Sequence, residues 1–376
     1  MKSRHELVER AVGCLLGLAC GDAVARPLAG LRGAEVTRRY GEVRGPVDVC
    51  ADENEPQRVA HRGMHGAHTT LALCVLDSLL YGPGGPSAPD LARRLTALSF
   101  PRNRLLPWGV LRGASSSLVR AVDAHARGED WRLAGVREPD GAALLAVVPL
   151  GLLVGDPLED VIDLAVDMTL VVYREPRSVA LAAAMVGMQR HVVENRSFSS
   201  KGLATAALAA SDLACRALAS RHAGVVAGSP DAAAQALSLA IGRSEADPCP
   251  ADVDCRDAPD LILASLLGSA AGENTNLIDA LATLCRRGGS VDILAPALCA
   301  LIGAKTGAEH LPLGLVDSLL GHREIEARAR ALVGPRPPAL DPLYDLEVAL
   351  AEKEGLWREG RPPPPPAPRR SQLNLL

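Results

Sequence analysis

Aromatic residues are scarce in this chain, whose 376 residues include only two Phe, four Tyr and three Trp. Alternating apolar patterns joined by hairpin turns are also missing, which argues against a β-sandwich or barrel. Alanine and leucine dominate the apolar residues instead, and both are strong helix formers. The core must therefore be built from small aliphatic side chains carried on helices, and the composition predicts an all-α protein.

Several classes of function are disfavoured by what else is missing. The net charge is −4, from 40 basic and 44 acidic residues, so we expect no nucleic-acid partner. We find no uninterrupted apolar stretch of membrane-spanning length and no signal peptide in MKSRHELVER, which predicts a cytoplasmic protein without membrane contact. The nine cysteines form no CxxC pair, so we expect them to be reduced, buried apolar residues.

Apolar residues recur at helical spacing through most of the chain. The first predicted helix closes at Gly21-Asp22, and Thr69 is the predicted N-cap of the second. We treat residues 1–335 as one domain and residues 336–376 as a C-terminal extension that ends in a disordered proline-rich tail, RPPPPPAPRR. The predicted helices cover residues 7–20, 69–80, 89–98, 114–126, 142–153, 158–173, 178–193, 202–221, 232–241, 258–271, 276–286, 294–306, 316–319 and 325–332.

Two junctions between loops and helices carry residues suited to chemistry. HRGMHGAHTT contains His61, His65 and His68, which fit either a solvated polar loop or a metal site, with the solvated loop as the simpler interpretation. In GGSVDILAPAL, Asp292 falls at a helix N-terminus, where the helix dipole alone stabilises a carboxylate. An oxygen ligand for a metal or a ribose is the functional alternative for Asp292.

The order and spacing of these segments resemble the ADP-ribosylglycohydrolase family. GCLLGLACGDAVARP is similar to that family's GxLxGxAxGDAxGxP, and GGSVDILAPALCALIGAKTGAEHLP to its GGDTDTIAAIAGALAGAxxGxxxIP. LRGASSSLVRAVDAHARGEDW, VPLGLL and EPRSVALAAAM resemble three segments between them. The resemblance runs from Gly13 to about Leu320. It implies a compact, orthogonal all-α fold and a reaction in which two Mg²⁺ or Mn²⁺ ions help to cleave ADP-ribose from a protein side chain.

The sequence departs from the family where the metal ligands are expected. The family's Thr-Asp-Asp-Thr reads Gly66-Ala67-His68-Thr69, and its Asp-Thr-Asp-Thr reads Ser290-Val291-Asp292-Ile293. Of four ligand carboxylates only Asp292 remains, with Ser290 as a weak hydroxyl donor. One carboxylate does not balance two divalent cations. We therefore predict that the dinuclear site is lost and that no cofactor is bound. A surviving Mg²⁺, or one Zn²⁺ on His65, His68 and Asp292, is the metal alternative.

The substrate-side motifs have changed as well. The family's catalytic Glu falls at Ala29, and its Asn-Gly-Ser turn becomes Asp140-Gly141-Ala142. Its Thr-His pair falls at Val172-Tyr173, and Pro296 enters the last motif helix, where it is expected to shift the helix start. These changes remove polar contacts that the resemblance would otherwise imply.

Three functions remain open from the sequence. The first is a catalytically degenerate family member that keeps a pocket for ADP-ribose, a related nucleotide or a modified protein. The second is a repurposed hydrolase for a glycosidic or nucleotide-derived substrate, with His68 as general base and Asp292 orienting it. The third is a non-enzymatic scaffold that acts through helix faces or the proline tail. The candidate pocket residues are His65, Thr69, Asp140, Gly141, Tyr173, Ser290 and Asp292.

Overall fold

The computed structural model describes residues 4–48, 60–100, 107–243, 251–270 and 276–358. Within these ranges the regular secondary structure is almost wholly helical, so the all-α prediction is confirmed. A short strand, β1, covers Pro107–Val110. The helices are α1 Arg4–Ala25, α2 Gly33–Tyr40, α3 Ala67–Tyr81, α4 Ala88–Leu98, α5 Ser116–Ala126, α6 Trp131–Ala134, α7 Ala143–Ala146, α8 Leu158–Leu170, α9 Pro176–Asn195, α10 Ser200–Arg221, α11 Pro230–Arg243, α12 Pro259–Ala270, α13 Leu277–Arg287, α14 Val291–Thr306, α15 Leu313–Ser318, α16 His322–Val333 and α17 Leu343–Arg358.

Helices α1 and α14 pack with their backbones in contact along a stripe of glycines. Gly13, Gly17 and Gly21 recur every four residues and therefore lie on one face of α1. A Cβ added at Gly17 would lie 2.3 Å from the carbonyl oxygen of Cys299, and one at Gly21 would lie 2.7 Å from the Cα of Pro296. Because Gly13 faces Gly303 at the other end, the helices run antiparallel, and the end of α1 meets the start of α14.

A second close contact joins α9 to α10. Helix α9 is buried along most of its length and also touches α7, α8, α11, α12 and α14. A Cβ at Gly187 would lie 2.5 Å from the carbonyl oxygen of Ala206 and 2.6 Å from the Cβ of Ala210. Small residues thus let neighbouring helices approach closely throughout the core, as the alanine-rich composition suggests.

The predicted helices are found, with several corrected bounds. Helix α1 continues to Ala25 because Gly21 packs against α14 instead of ending the helix. The predicted helix over 142–153 is wrong: α7 is followed by a 3₁₀ turn, Val148–Leu152, which contains Pro149. The prediction that Pro296 shifts the start of the last motif helix is also wrong, because α14 begins at Val291 with Pro296 inside it.

Two further corrections concern residues near the expected site. Thr69 is not an N-cap: α3 begins at Ala67 with Gly66 at the N-cap position, which leaves Thr69 inside the first turn. Helix α8 ends at Leu170, so Tyr173 lies in a loop, where it forms an isolated parallel bridge with Val136.

Helix α10 is long and apolar enough to cross a membrane by length and composition alone. Its most apolar window contains Asp212 and Arg216, so it is not the uninterrupted apolar stretch that we looked for in the sequence. In the structure α10 packs against α8, α9 and α11, and 44% of its most apolar window is buried. A core helix passes the same test, so this property by itself assigns no membrane contact.

The C-terminal extension contributes a helix to the folded body. After a proline-rich connection over residues 335–342, α17 packs against α3, α4 and β1. Its residues Leu343, Glu347, Leu350, Ala351 and Glu354 are buried and lie on one helix face. The polyproline segment, predicted to be disordered, lies outside the described residues.

The glycine stripe leads to a stability prediction. We expect Gly17→Ala to lower the free energy of unfolding by about 1–3 kcal/mol, because its methyl group meets backbone that cannot rotate away. Gly242→Ala on α11 is the matched control, since nothing lies within 4 Å of its added Cβ. It should be neutral or stabilising by up to about 1 kcal/mol. Urea denaturation measures both, and equal stabilities for the two variants would contradict the backbone-contact interpretation.

Candidate functional site

Asp22, near the end of α1, joins α1 to the start of α3. Its Oδ2 accepts hydrogen bonds from the backbone N–H groups of Gly66 and Thr69 at 2.9 and 3.1 Å, and from the Thr69 hydroxyl at 2.6 Å. The first N–H groups of a helix have no partner within it. Asp22 therefore supplies from another helix the cap that α3 lacks locally. Its second oxygen, Oδ1, is buried without a partner among the described residues.

The side chain of Arg26 passes between two glycines beside Asp22. A Cβ at Gly66 would lie 2.7 Å from the Arg26 Cδ, and one at Gly113 would lie 3.1 Å from the same atom. Gly113 also has a positive φ of 64°, which favours glycine there. These two positions leave room for the aliphatic part of Arg26. Its guanidinium group then donates to Glu354 of α17 at 2.6 Å.

Glu347, also on α17, is the centre of a fully buried polar cluster. Its Oε1 accepts from His65 Nε2 at 2.9 Å and from the Thr70 hydroxyl at 3.0 Å, and its Oε2 lies 2.8 Å from Arg112 Nη1. Arg112 also donates to the backbone carbonyls of His65 and Glu347. We call Arg26, His65, Thr70 and Arg112 the donor cluster, because each makes a hydrogen bond or an ion pair with a carboxylate of α17.

The donor cluster keeps both carboxylates ionised. Burial alone would raise the pKa of Glu347, but the charge of Arg112 and the contact with His65 bring it down to about 2. Burial likewise opposes the ionisation of Glu354, whose pKa is nonetheless lowered by Arg26 and by Arg112. Because Arg112 acts on both carboxylates, the two ion pairs form one connected cluster.

A second cluster surrounds Arg256 at the start of α14. Its Nη2 donates to Asp292 Oδ2, and its Nη1 lies 3.8 Å from Asp140 Oδ1. Burial would lower the pKa of Arg256, but the charges of Asp292, Asp140 and Asp254 raise it above its ordinary value. A guanidinium ion thus neutralises the carboxylates that converge there.

Close backbone packing holds Arg256 next to Asp292. Gly288 and Gly289 both have a φ of +69°, and a Cβ at Gly289 would lie 2.2 Å from the carbonyl oxygen of Val253. The Ser290 hydroxyl accepts from the Cys255 N–H at 2.7 Å and donates to Asp254 at 2.8 Å. The segment that carries Arg256 is therefore fixed against the first turn of α14.

Asp140, Gly141 and Tyr173 also lie near Arg256. Asp140 Oδ1 accepts from the Ala142 N–H at 2.9 Å, and the Gly141 N–H donates to the Arg256 carbonyl at 2.7 Å. Tyr173 is buried, and burial followed by the Asp140 charge raises its pKa well above the ordinary value. These three predicted site residues are therefore grouped with Asp292 and Ser290 around Arg256.

A family model for ADP-ribosylglycohydrolases matches residues 3–340 of this chain. The chain belongs to the ADP-ribosylglycohydrolase family. Among solved structures it is similar to an ADP-ribosylglycohydrolase-related protein complex, with a TM-score of 0.59, 21% identity, and coverage of 88% of this chain and 98% of that one. That likeness concerns the fold.

A curated relative is an uncharacterized protein of Archaeoglobus fulgidus. It is 26% identical over 151 residues, which make up 38% of this chain and 43% of that protein. The match thus spans less than half of the relative's length.

The residues in and beside the two segments that the resemblance pairs with metal-ligand motifs are engaged by other side chains here. His65 is bound to Glu347, whereas Asp292 is bound to Arg256. His68 is buried, and its ring makes no hydrogen bond or ion pair with the described part of the chain. Across the described ranges, no three His, Cys, Asp or Glu side chains are arranged to hold a metal ion. His65, His68 and Asp292 therefore do not form the three-ligand set considered for Zn²⁺.

The structure also contains a cavity of about 340 Å³. It opens between α3, α4, α16 and the segment that leads into α17, with Asp77, Arg94, Arg328 and Tyr344 among its lining residues. Burial raises the pKa of Asp77, which Arg328 contacts at 2.8 Å. Each residue named as a candidate from the sequence lies outside this cavity's lining.

Sequence reasoning missed the charged partners of the site: Arg26, Arg112, Arg256, Glu347 and Glu354. For the last two a signal existed, since Leu343, Glu347, Leu350 and Glu354 follow a helical period that we did not extend into the C-terminal region. Arg256 lies within an acidic segment, ADVDCRD, but nothing local in that segment indicates that it pairs with Asp292.

The lowered pKa of Glu347 predicts acid sensitivity. A carboxylate with a folded-state pKa near 2, against an ordinary 4.5, contributes stability above pH 4.5 that is lost as the pH falls toward 2. We expect the stability difference between wild type and Glu347→Gln to shrink by about 3 kcal/mol from pH 7 to pH 2. Denaturant unfolding at several pH values measures the difference.

The exposed Glu352, on the same helix, supplies the control. Glu352→Gln should retain the wild-type dependence of stability on pH. A difference between wild type and Glu347→Gln that stays constant with pH would contradict the assignment of the ion pair to Glu347.

Proposed function

We propose that this protein does not carry out the two-metal hydrolysis of its family and instead binds ADP-ribose or a related nucleotide. The observation that carries the first half of the proposal is the contact of Arg256 with Asp292 and its approach to Asp140. A guanidinium group stands against the one family ligand carboxylate that the sequence retains. Since its charge is permanent, it competes with a divalent cation for the same oxygens.

The donor chemistry of the site supports the same conclusion. Mg²⁺ needs several oxygen ligands, with carboxylates among them, in near-octahedral geometry. Here Ser290 is engaged with Asp254, and Asp22 is engaged with the start of α3. The residues therefore do not fit a dinuclear Mg²⁺ centre, and we derive no catalytic step through one.

Unpartnered buried atoms support a retained ligand pocket. The atoms Asp22 Oδ1, Arg26 Nε, His65 Nδ1 and Arg256 Nη1 are buried without a hydrogen-bond partner in the described structure. Buried polar atoms in native proteins usually have partners, so such a group calls for an explanation. A ligand with hydroxyl and phosphate groups could supply both donors and acceptors to these atoms.

We expect ADP-ribose to raise the thermal unfolding midpoint of the full chain equally with and without Mg²⁺. Ligand that binds only the folded state stabilises it by RT ln(1 + [L]/Kd). Differential scanning fluorimetry with ADP-ribose, with and without Mg²⁺ and EDTA, measures the shift. A shift that requires Mg²⁺, or the release of ADP-ribose from ADP-ribosylated arginine or serine, would refute the proposal.

The role of Arg256 can be tested without any activity. Arg256→Gln removes the cation and leaves Asp292 and Asp140 unbalanced, so we expect Mg²⁺ to raise the unfolding midpoint of this variant but not that of wild type. The control is Arg120→Gln, which breaks an exposed pair with Glu138. If Mg²⁺ acts alike on wild type and Arg256→Gln, Arg256 does not stand in for a metal.

A further inference from the structure

We propose that the donor cluster of Arg26, His65, Thr70 and Arg112 is an anion site that binds the phosphate groups of a nucleotide or diphosphate ligand. Glu347 and Glu354 of α17 are its built-in occupants, and the ligand displaces them. The inference rests on the proposed function and deepens it, because it names the residues that would take the phosphates.

The donors around Glu347 form a set suited to a phosphate. A guanidinium, an imidazole N–H and a hydroxyl reach one carboxylate at 2.8, 2.9 and 3.0 Å. The side chain of Arg112 is 4% exposed and that of His65 is fully buried, so neither is satisfied by water. Charge-assisted bonds from such groups are the ones that phosphate oxygens accept.

Each member of the donor cluster belongs to a part of the fold other than α17. His65 and Thr70 flank the start of α3, which Asp22 holds in place, and Arg112 lies two residues after the end of β1. Arg26 is positioned by its close approach to Gly66 and Gly113. Arg26, His65 and Thr70 are therefore positioned by packing outside α17, whereas Arg112 is held by the His65 carbonyl and also by the Glu347 carbonyl. We expect the first three to stay in place when the carboxylates leave.

The second carboxylate extends the site. Glu354 lies seven residues after Glu347, so the two residues are about 10 Å apart along the helix axis. Glu354 accepts from Arg26 at 2.6 Å and from the His61 N–H at 3.2 Å. An elongated ligand with more than one anionic group matches this pair of positions better than a single small ion does.

The way in which α17 is attached would allow a ligand to replace its two carboxylates in the donor cluster. The buried apolar side chains of α17 are Leu343, Leu350 and Ala351, and its two buried carboxylates are both in ion pairs. Its connection over residues 335–342 is rich in proline and lacks helix. A tethered occupant has an effective concentration in the millimolar range, so a free anion competes poorly with the intact helix.

The test uses the full chain carrying Glu347→Gln. Glutamine keeps the size of the side chain but leaves Arg112 and His65 without their anion. We expect a lower unfolding midpoint, which inorganic diphosphate raises in proportion to the logarithm of its concentration. Sodium chloride at the same ionic strength should not raise it. Glu352→Gln, an exposed change on the same helix, should behave as wild type throughout.

Hydrogen exchange supplies the second measurement. With diphosphate bound to Glu347→Gln, the amides of α17 should exchange faster while those of α3 stay protected. If Glu347→Gln does not fold, Glu354→Gln takes its place in the same titrations. A midpoint that diphosphate moves no more than chloride does, or a rescue with unchanged protection of α17, would overturn the proposal.

Parallel titrations with ADP-ribose separate this inference from the proposed function. Rescue by diphosphate without any response to ADP-ribose would uphold the anion site and refute nucleotide binding. A response to ADP-ribose that is identical in wild type and Glu347→Gln, without rescue by diphosphate, would do the reverse.

Discussion

The backbone contact between α1 and α14 is the constraint on which the rest of the structure depends. Gly17 and Gly21 let the two helices approach until main-chain atoms touch, which a methyl group at either position would prevent. This antiparallel contact brings the end of α1 to the start of α14, with Asp22 on one helix and Asp292 on the other. Asp22 then fixes the start of α3, so three helix ends meet in one polar region inside an aliphatic core.

Arginine is the cation that balances the carboxylates of this region. Arg256 faces Asp292, Arg26 faces Glu354, and Arg112 faces Glu347. Removing such charges from water costs several kcal/mol per ion, so each buried pair contributes less stability than its short distances suggest. The main effect of these ion pairs is to fix how the segments that carry them are positioned relative to one another. An arginine holds its charge at every physiological pH and needs no supply from solution, unlike a bound metal ion.

The sequence predicted the helices well because helical period and small aliphatic residues are local properties. It failed where a contact between distant segments decided the outcome. From the sequence, Gly21 was predicted to end α1, but in the structure it allows the close contact with α14. Thr69 was predicted to be the N-cap of α3, but the capping hydrogen bonds come from Asp22 on α1. Asp140, Tyr173 and Asp292, which the family resemblance named from separate motifs, lie around one residue, Arg256, in the structure. The resemblance could not provide Arg256 or Glu347, whose roles arise from pairing across 36 and 282 residues.

The position of α17 bears on where this protein is divided. The family match ends at residue 340, and α17 begins at Leu343. A fragment trimmed to the extent of the family resemblance would keep Arg26 and Arg112 and lose both of their counter-ions. It would leave two arginines without the carboxylates that balance them in the full chain. The segment in which these buried charges are balanced includes α17 and is therefore longer than the segment matched by the family model. A fragment of this chain should be cut after α17.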